Sequence, residues 1–154
     1  VLPNLALMSD LPSDASKSMA VTPITTLVAV AETPAAKAKV LTALGVTGTV
    51  EELLTTDNWA EAEAGDASAK ELQRKNQQVG LILQTAESLV DSDAATKATD
   101  VTQAVAKQLV EETSSSDSID LTLADTITQV LTDSVAEVTP LAAVSAEAIA
   151  AVSN

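Results

Sequence analysis

The fold of this chain is decided by residues 66–90, which read DASAKELQRKNQQVGLILQTAESLV. Asp66 is a typical helix N-cap residue, because its carboxylate can accept hydrogen bonds from the free amides of the first turn. The apolar residues that follow recur at helical spacing and form one stripe: Leu72, Val79, Leu83, Ala86 and Val90, widened by Ile82 and Leu89. The pattern predicts an amphipathic helix from Asp66 to about Val90, with this stripe buried.

Gly80 lies inside the stripe, among larger apolar residues. In a helix interior glycine costs about 1 kcal/mol relative to alanine. A partner helix that crosses closely at Gly80 would explain the glycine, and we expect one there.

Further helix starts lie on both sides of residues 66–90. Thr-Pro pairs at 22–23, 33–34 and 139–140 each place a cap residue before a proline, which fits the first helical position. Asp57 and Asp93 are further cap residues, and Thr122 with Asp125 resembles a capping box. We therefore predict additional helices over residues 23–32, 35–44, 58–64, 94–112, 123–138 and 140–152, and a short turn over residues 50–54.

Apolar stripes mark the buried faces of the two helices predicted after residue 90. Their residues recur at the spacing of one helical face. We expect the following residues to be buried: Ala94, Ala98, Val101, Val105 and Leu109 in the first of them, and Leu123, Ile127, Val130, Leu131 and Val135 in the second.

The N-terminal part of the chain has a different character. Pro3, Pro12 and two Ser-Asp pairs favour turns and extended backbone over helix. We predict an extended, non-helical segment over residues 1–22 and a helical domain over residues 23–154. The fold class is then all-α, a bundle of five to seven helices joined by short loops.

The composition excludes several kinds of chemistry. The 154 residues include no His, Cys, Tyr or Phe, one Trp and one Arg, so the core must be built from Leu, Ile, Val and Ala. A nucleophilic Ser or Thr needs a base, and no Gly-x-Ser-x-Gly, Ser-x-x-Lys or Gly-rich phosphate loop occurs. We expect a thin core, modest stability and no enzymatic activity.

The net charge of −14 limits the partners. Nucleic-acid binding depends on Lys and Arg that neutralise phosphates, and an anionic membrane surface likewise attracts basic segments. No run approaches the roughly 18–20 apolar residues of a membrane span. We expect no nucleic-acid partner and no membrane insertion, and we interpret the acidity as a solvated surface.

Carboxylates are densest at residues 91–93 and 117–120. If the first group is read as an EF-hand loop, positions six and twelve are Thr96 and Thr102 in place of Gly and Glu, so the register fails. We therefore expect no cofactor and no metal site, and interpret Asp93 as a helix cap. Weak Ca²⁺ binding at these helix-end acids is the alternative.

Trp59 is the single aromatic residue, and two interpretations are open. It either fills the bundle where the short helix at 58–64 meets the long one, or it is exposed and anchors a partner, as tryptophan often does in interfaces. The other candidate interaction residues are Leu5, Leu7 and Met8, which belong to an apolar strip. This strip either lies on the body of its own chain or pairs with a neighbouring molecule.

Basic residues cluster only at Lys70, Arg74 and Lys75. Glu71 and Lys75 are four residues apart, which predicts an ion pair on a solvated helix face. Such a pair contributes a few tenths of a kcal/mol, roughly, so we assign the patch no binding role.

Residues 21–28 read VTPITTLV. They resemble the V-T-P-L-T-T-L-V opening of an α-helical module in very long bacterial surface and secreted proteins, the adhesin-like proteins that also carry cadherin-like or RTX-type calcium repeats. The strip at residues 5–12 is similar to the short apolar piece that precedes this opening. Further matches follow in order: Ala43-Leu44-Gly45, Leu54 to Asp57, Ala64-Gly65-Asp66-Ala67, Gln78-Val79 and Ile119-Asp120-Leu121-Thr122.

The resemblance covers most of residues 5–135 and implies a non-catalytic, extracellular helical module. We therefore expect a structural or interaction module of a bacterial cell-surface or secreted adhesin-like protein, which binds protein partners. The chain has fewer aromatic residues than that module and no flanking β-domain, so a role as a free subunit remains an alternative. The alternative is a self-assembling subunit of an extracellular filament or surface layer, docking into a neighbouring copy through residues 1–22. Because its N-terminus lacks a signal-peptide pattern, we expect a processed product or a piece of a longer protein.

Overall fold

The computed structural model describes residues 7–90, 94–112 and 118–138, with side chains from residue 99 onward in the second range. Leu5, the Asp91–Asp93 acids with the Asp93 cap, and the helix predicted at 140–152 lie outside the described residues. Within these ranges the chain has seven helices and no strand, so the prediction of an all-α bundle is confirmed. The helices are α1 Pro23–Val30, α2 Pro34–Ala43, α3 Val50–Thr55, α4 Asn58–Glu63, α5 Ala67–Leu89, α6 Ala94–Glu112 and α7 Ala124–Val138.

The core lies where α1, α5, α6 and α7 meet. Helix α1 packs across both α5 and α6, and α7 packs along α6. As the composition predicts, the core is aliphatic. Its most completely buried large side chains are Ile24, Leu27, Val28, Leu44, Val79, Leu83, Val101, Leu109 and Leu131.

Side-chain caps define the helix starts as predicted. The Thr22 hydroxyl accepts from the Thr25 amide at 3.2 Å, and the Thr25 hydroxyl accepts from the Thr22 amide at 2.7 Å, which completes a capping box before Pro23. The Thr33 hydroxyl caps α2 by accepting from the Ala36 amide at 3.1 Å, without a reciprocal bond, and Pro34 occupies the first turn. Asp66 caps α5 by accepting from the Ala69 amide at 2.8 Å. These bonds satisfy amides that a helix start otherwise leaves unpaired.

The close crossing expected at Gly80 is confirmed. A Cβ atom added at Gly80 would lie 3.2 Å from Cγ of Pro23, so the first turn of α1 rests on the glycine itself. The contact is reinforced beside it, since Asn76 Oδ1 accepts from the Ile24 amide at 3.1 Å. The glycine therefore lets α1 lie close to α5.

The predicted ion pair between Glu71 and Lys75 is wrong. Glu71 instead pairs with Arg74, with 2.6 Å between Arg74 Nη2 and Glu71 Oε1. Lys75 donates to the carbonyls of Leu44 and Gly45 at the C-terminal end of α2. A cation there neutralises the partial negative charge of the helix end, and α5 passes close enough for Lys75 to reach it.

Two predictions at the start of α7 are also wrong. Leu123 is 54% exposed, because α7 begins one residue later, at Ala124, and Leu123 lies before the helical stripe. The Thr122 hydroxyl donates to Asp120 Oδ1 at 2.6 Å, so it closes a local turn and does not form the predicted capping box. Of the rest of the predicted stripe, Val130, Leu131 and Val135 are buried, whereas Ile127 is half-buried against the core.

The N-terminal segment is non-helical from residue 7 to residue 22 and lies on the body of its own chain. The Thr26 hydroxyl accepts from the Met8 amide at 2.9 Å and lies 3.0 Å from the Met8 carbonyl. Further along, Asp10 pairs with Lys37, and the Ala20 amide donates to the Leu54 carbonyl at 2.7 Å. For Met8 the intramolecular interpretation of the apolar strip is therefore confirmed.

Replacing Thr26 by valine is expected to detach the segment around Met8. Valine keeps the shape of the fully buried threonine but removes the hydroxyl that pairs with the Met8 backbone. We expect the free energy of unfolding to fall by about 1–2 kcal/mol. Amide exchange at residues 8–11 should accelerate, while exchange in α5 and α6 should stay close to that of the parent protein.

The matched control is Thr42→Val. Thr42 is exposed and its hydroxyl bonds only within α2, to the Ala38 carbonyl at 3.1 Å. Urea unfolding followed by circular dichroism gives the stabilities, and hydrogen exchange read by NMR gives the local effect. If the amides of residues 8–11 were as well protected from hydrogen exchange in Thr26→Val as in the parent protein, the anchoring role of the Thr26 hydroxyl would be contradicted.

Candidate functional site

A large groove on the described surface lies between the N-terminal segment, α4 and the middle of α5. Its volume is about 1120 Å³. We call it the Trp59 groove and define it by residues 17–23, residues 55–59 and the face of α5 from residue 73 to residue 84. The apolar side chains that line it are Leu7, Met19, Ala20, Val21, Pro23, Trp59 and Leu81.

Exposed apolar side chains concentrate in the Trp59 groove. Seven large apolar residues are exposed among the described residues, and five of them line this groove. The other two, Leu11 and Leu123, are outside it. Because a contiguous exposed apolar surface typically marks an interaction site, this concentration makes the groove the candidate functional site.

Trp59 is held at the edge of the groove by its own helix. Asp57 caps α4, and its Oδ1 accepts from the amides of Trp59 and Ala60 at 3.2 and 3.0 Å. One turn further on, Glu63 Oε1 accepts from Trp59 Nε1 at 3.0 Å. The indole is 64% exposed, so the interpretation that Trp59 fills the bundle is wrong. The small Ala62 provides the buried face of α4 instead.

The α5 wall of the groove combines one leucine with unpaired amides. Leu81 is 60% exposed and projects from the side of α5 that faces away from the core. Gln73, Gln77 and Gln84 also line the groove, and none of them bonds to a described residue. This wall can therefore offer both apolar contact and free hydrogen-bonding groups to a ligand.

The segment that includes the α4 edge of the groove is acidic, and Asp57 is the one acid of this segment that lines the groove itself. Residues 50–66 contain six acids and no base: Glu51, Glu52, Asp57, Glu61, Glu63 and Asp66. None of the six forms a salt bridge in the described part of the chain. The pKa of Glu52 is lowered because the amide and then the hydroxyl of Thr49 donate to its carboxylate. The uncompensated charge places a negative potential beside Trp59.

Two of the predicted interaction residues, Trp59 and Leu7, line the groove together. Met8 is half-buried and bound to α1, and Leu5 lies outside the described residues. Met19, Val21 and Leu81 also line the groove and were not predicted from the sequence. For Leu81 a signal existed, because it is a large apolar residue off the buried stripe of α5.

Two further kinds of feature concern metal ions and membranes. No group of three or more acidic ligands that could hold a metal ion occurs in residues 7–90, 94–112 and 118–138. Asp120 within them accepts from the amide and hydroxyl of Thr122, which lowers the pKa of its carboxyl group; the hydroxyl bond is the larger cause. Among the described helices none has the length and apolar character needed to cross a bilayer.

Comparisons of the chain with protein-family models, with curated proteins and with solved structures find no match. The described fold and surface define a coarser class: an all-α helical bundle with an exposed apolar groove at its N-terminal end.

Proposed function

We propose that this chain is a non-catalytic protein-interaction module that binds partner proteins through the Trp59 groove. The observation that carries the proposal is the gathering of five exposed apolar side chains, Trp59 among them, in one groove. Tryptophan in a partly enclosed, apolar setting typically contributes much of the energy of a protein interface. Because the groove walls come from an anchored segment and two capped helices, little ordering entropy is lost on binding.

The proposed setting is the surface of a bacterium or its secretions, in an adhesin-like protein. The resemblance of residues 21–28 to the helical modules of such proteins supports this setting. The net charge of −14 agrees with it only in a general way, since strong acidity keeps a protein soluble and limits self-association.

The second candidate function is self-assembly into an extracellular filament or layer. Leu7, Met19 and Val21 of the N-terminal segment line the groove, so docking of this segment into a neighbouring copy would use the same surface. The two proposals differ in the identity of the groove's occupant, which a cross-linking experiment determines directly.

Photo-cross-linking from inside the groove tests both proposals. We expect p-benzoylphenylalanine at position 81 or 77 to give a discrete adduct in the cells that produce the protein. The same probe at positions 123 and 11, which are exposed outside the groove, serves as the matched control. An adduct with another protein supports the module, and an adduct of two copies supports the subunit. Equal labelling from groove and control positions would refute the groove as an interaction site.

A further inference from the structure

We infer that the partner of the Trp59 groove is an extended apolar segment flanked by Lys or Arg, which adds its backbone to the open edge of residues 19–21. The inference rests on the proposed function and specifies the chemistry of the partner. Three independent features of the groove support it: an unpaired backbone edge, uncompensated acidic charge and an apolar floor.

The first feature is the backbone of residues 18–22, which contains neither turn nor helix. The Ala20 amide donates to Leu54 on α3, whereas the amides of Met19 and Val21 bond to no described residue. Consecutive residues of an extended chain direct their amides to opposite sides. Ala20 therefore pairs inward, and its neighbours leave an edge that a second extended strand can use, as in other cases of strand addition.

The second feature is charge. Glu61 and Glu63 accompany Trp59 on α4, and Asp57 caps the same helix. No cation of the described chain pairs with any of them. Asp57 and Lys17 are the one acidic and the one basic residue that line the groove, and Lys17 belongs to the N-terminal segment. A ligand with basic residues beside its apolar centre complements the acids of α4, and the acidity of the whole chain accelerates its approach.

The third feature is the floor. Leu81 on α5, Trp59 on α4, and Met19 and Val21 on the N-terminal segment all line the groove. An extended segment directs alternate side chains to one face, so every second residue can be apolar and reach this floor. The unpaired glutamines of α5 can receive the polar backbone groups on the far edge of such a strand.

Trp59 is the single aromatic residue of the chain, so its fluorescence reports on the groove alone. We expect the peptide Ac-KKVLVLKK-amide to shift the emission of the full-length protein to shorter wavelength, with saturation. The acidic peptide Ac-EEVLVLEE-amide should bind at least about tenfold more weakly at low salt, with the difference shrinking as salt screens the charges. N-methyl groups at alternate residues of the apolar centre of the basic peptide should also lower its affinity about tenfold, because the methylated peptide cannot donate hydrogen bonds to the open edge.

Substitutions test whether the fluorescence change arises from binding in the Trp59 groove. Leu81→Gln should weaken binding of the basic peptide at least about tenfold. Leu123 is a similarly exposed leucine outside the groove, so Leu123→Gln should leave the binding unchanged. Glu61→Lys should weaken binding of the basic peptide and reduce the salt dependence of that binding. All three substitutions are at exposed positions, so folding is retained and circular dichroism can check it.

Several outcomes would overturn the inference. Equal binding of the acidic peptide refutes the charge requirement, and equal binding of the methylated peptide refutes backbone pairing. Dimerisation without peptide that Leu81→Gln abolishes assigns the groove to a second copy. An emission shift to longer wavelength on deleting residues 1–6 assigns it to the chain's own N-terminus. If no peptide binds but cross-linking from position 81 still gives a protein adduct, the proposed function stands and this partner chemistry is wrong.

Discussion

Replacing Leu83 by alanine is expected to lower the free energy of unfolding by about 3 kcal/mol. Leu83 is 1% exposed and lies in the C-terminal half of α5, a helix against which α1, α6 and α7 pack. Truncation removes buried methyl and methylene groups and leaves a cavity. The neighbouring side chains are short and aliphatic, so they cannot fill it by changing rotamer. In a domain of this size, with a total stability of about 5–15 kcal/mol, such a loss is severe.

The control lies two residues away on the same helix. Leu81→Ala makes the same chemical change at a position that is 60% exposed, and we expect a change within about 0.5 kcal/mol. Urea unfolding followed by helix circular dichroism measures both variants. Leu81→Ala should also weaken binding in the Trp59 groove while it leaves stability nearly unchanged. Similar destabilisation by the two substitutions would show that the buried face of α5 is assigned incorrectly.

Replacing Gly80 by valine is expected to cost about 2–3 kcal/mol. The valine Cβ would lie 3.2 Å from the Pro23 ring, and its two methyl groups would extend the overlap. Pro23 has little freedom to move, because its ring is rigid and the Thr22–Thr25 capping box holds the first turn of α1 in place. Relief of the overlap therefore requires α1 to move away from α5, which also weakens the Asn76–Ile24 hydrogen bond.

Gly80→Ala separates the two opposing effects. Its single Cβ atom meets the same tight contact, but the helix gains about 1 kcal/mol of propensity, so we expect little net change. Gln77→Val places the same β-branched residue on the exposed face of α5 and should cost less than about 1 kcal/mol. Thermal and urea unfolding of the three variants give the comparison. A Gly80→Val protein as stable as Gln77→Val would refute the close crossing.

Local chemistry made most of the fold predictable. The caps at Thr22, Thr33 and Asp66 act within three residues of the helix start, so they can be recognised without knowledge of the rest of the molecule. Gly45 ends α2 with a φ of 58°, and the Val46 amide donates to the Leu41 carbonyl, a helix ending that glycine favours for its own conformational reasons. Among the described helices the limits were therefore predicted to within one or two residues, except that residues 50–55 form a helix where a short turn was expected.

The candidate site was predicted only in part. Trp59 and Leu7 could be named because they are apolar residues in short or non-helical segments. Met19 and Val21 could not, because nothing near them in the sequence shows that they face α5, more than fifty residues further along the chain. The same is true of Lys75, whose partner carbonyls lie about thirty residues away on α2 and are closer to it than Glu71 is.

The sequence by itself determined which segments are helical, where they begin and end, and that their shared core is aliphatic, since these properties depend on residues a few positions apart and on overall composition. Only the tertiary structure decided which apolar residues remain exposed and that five of them meet in one groove. The physical reason is that a groove is formed by the space between elements distant in the chain. It depends on how closely α1 approaches α5 at Gly80 and on how Thr26 and Leu54 hold the N-terminal segment.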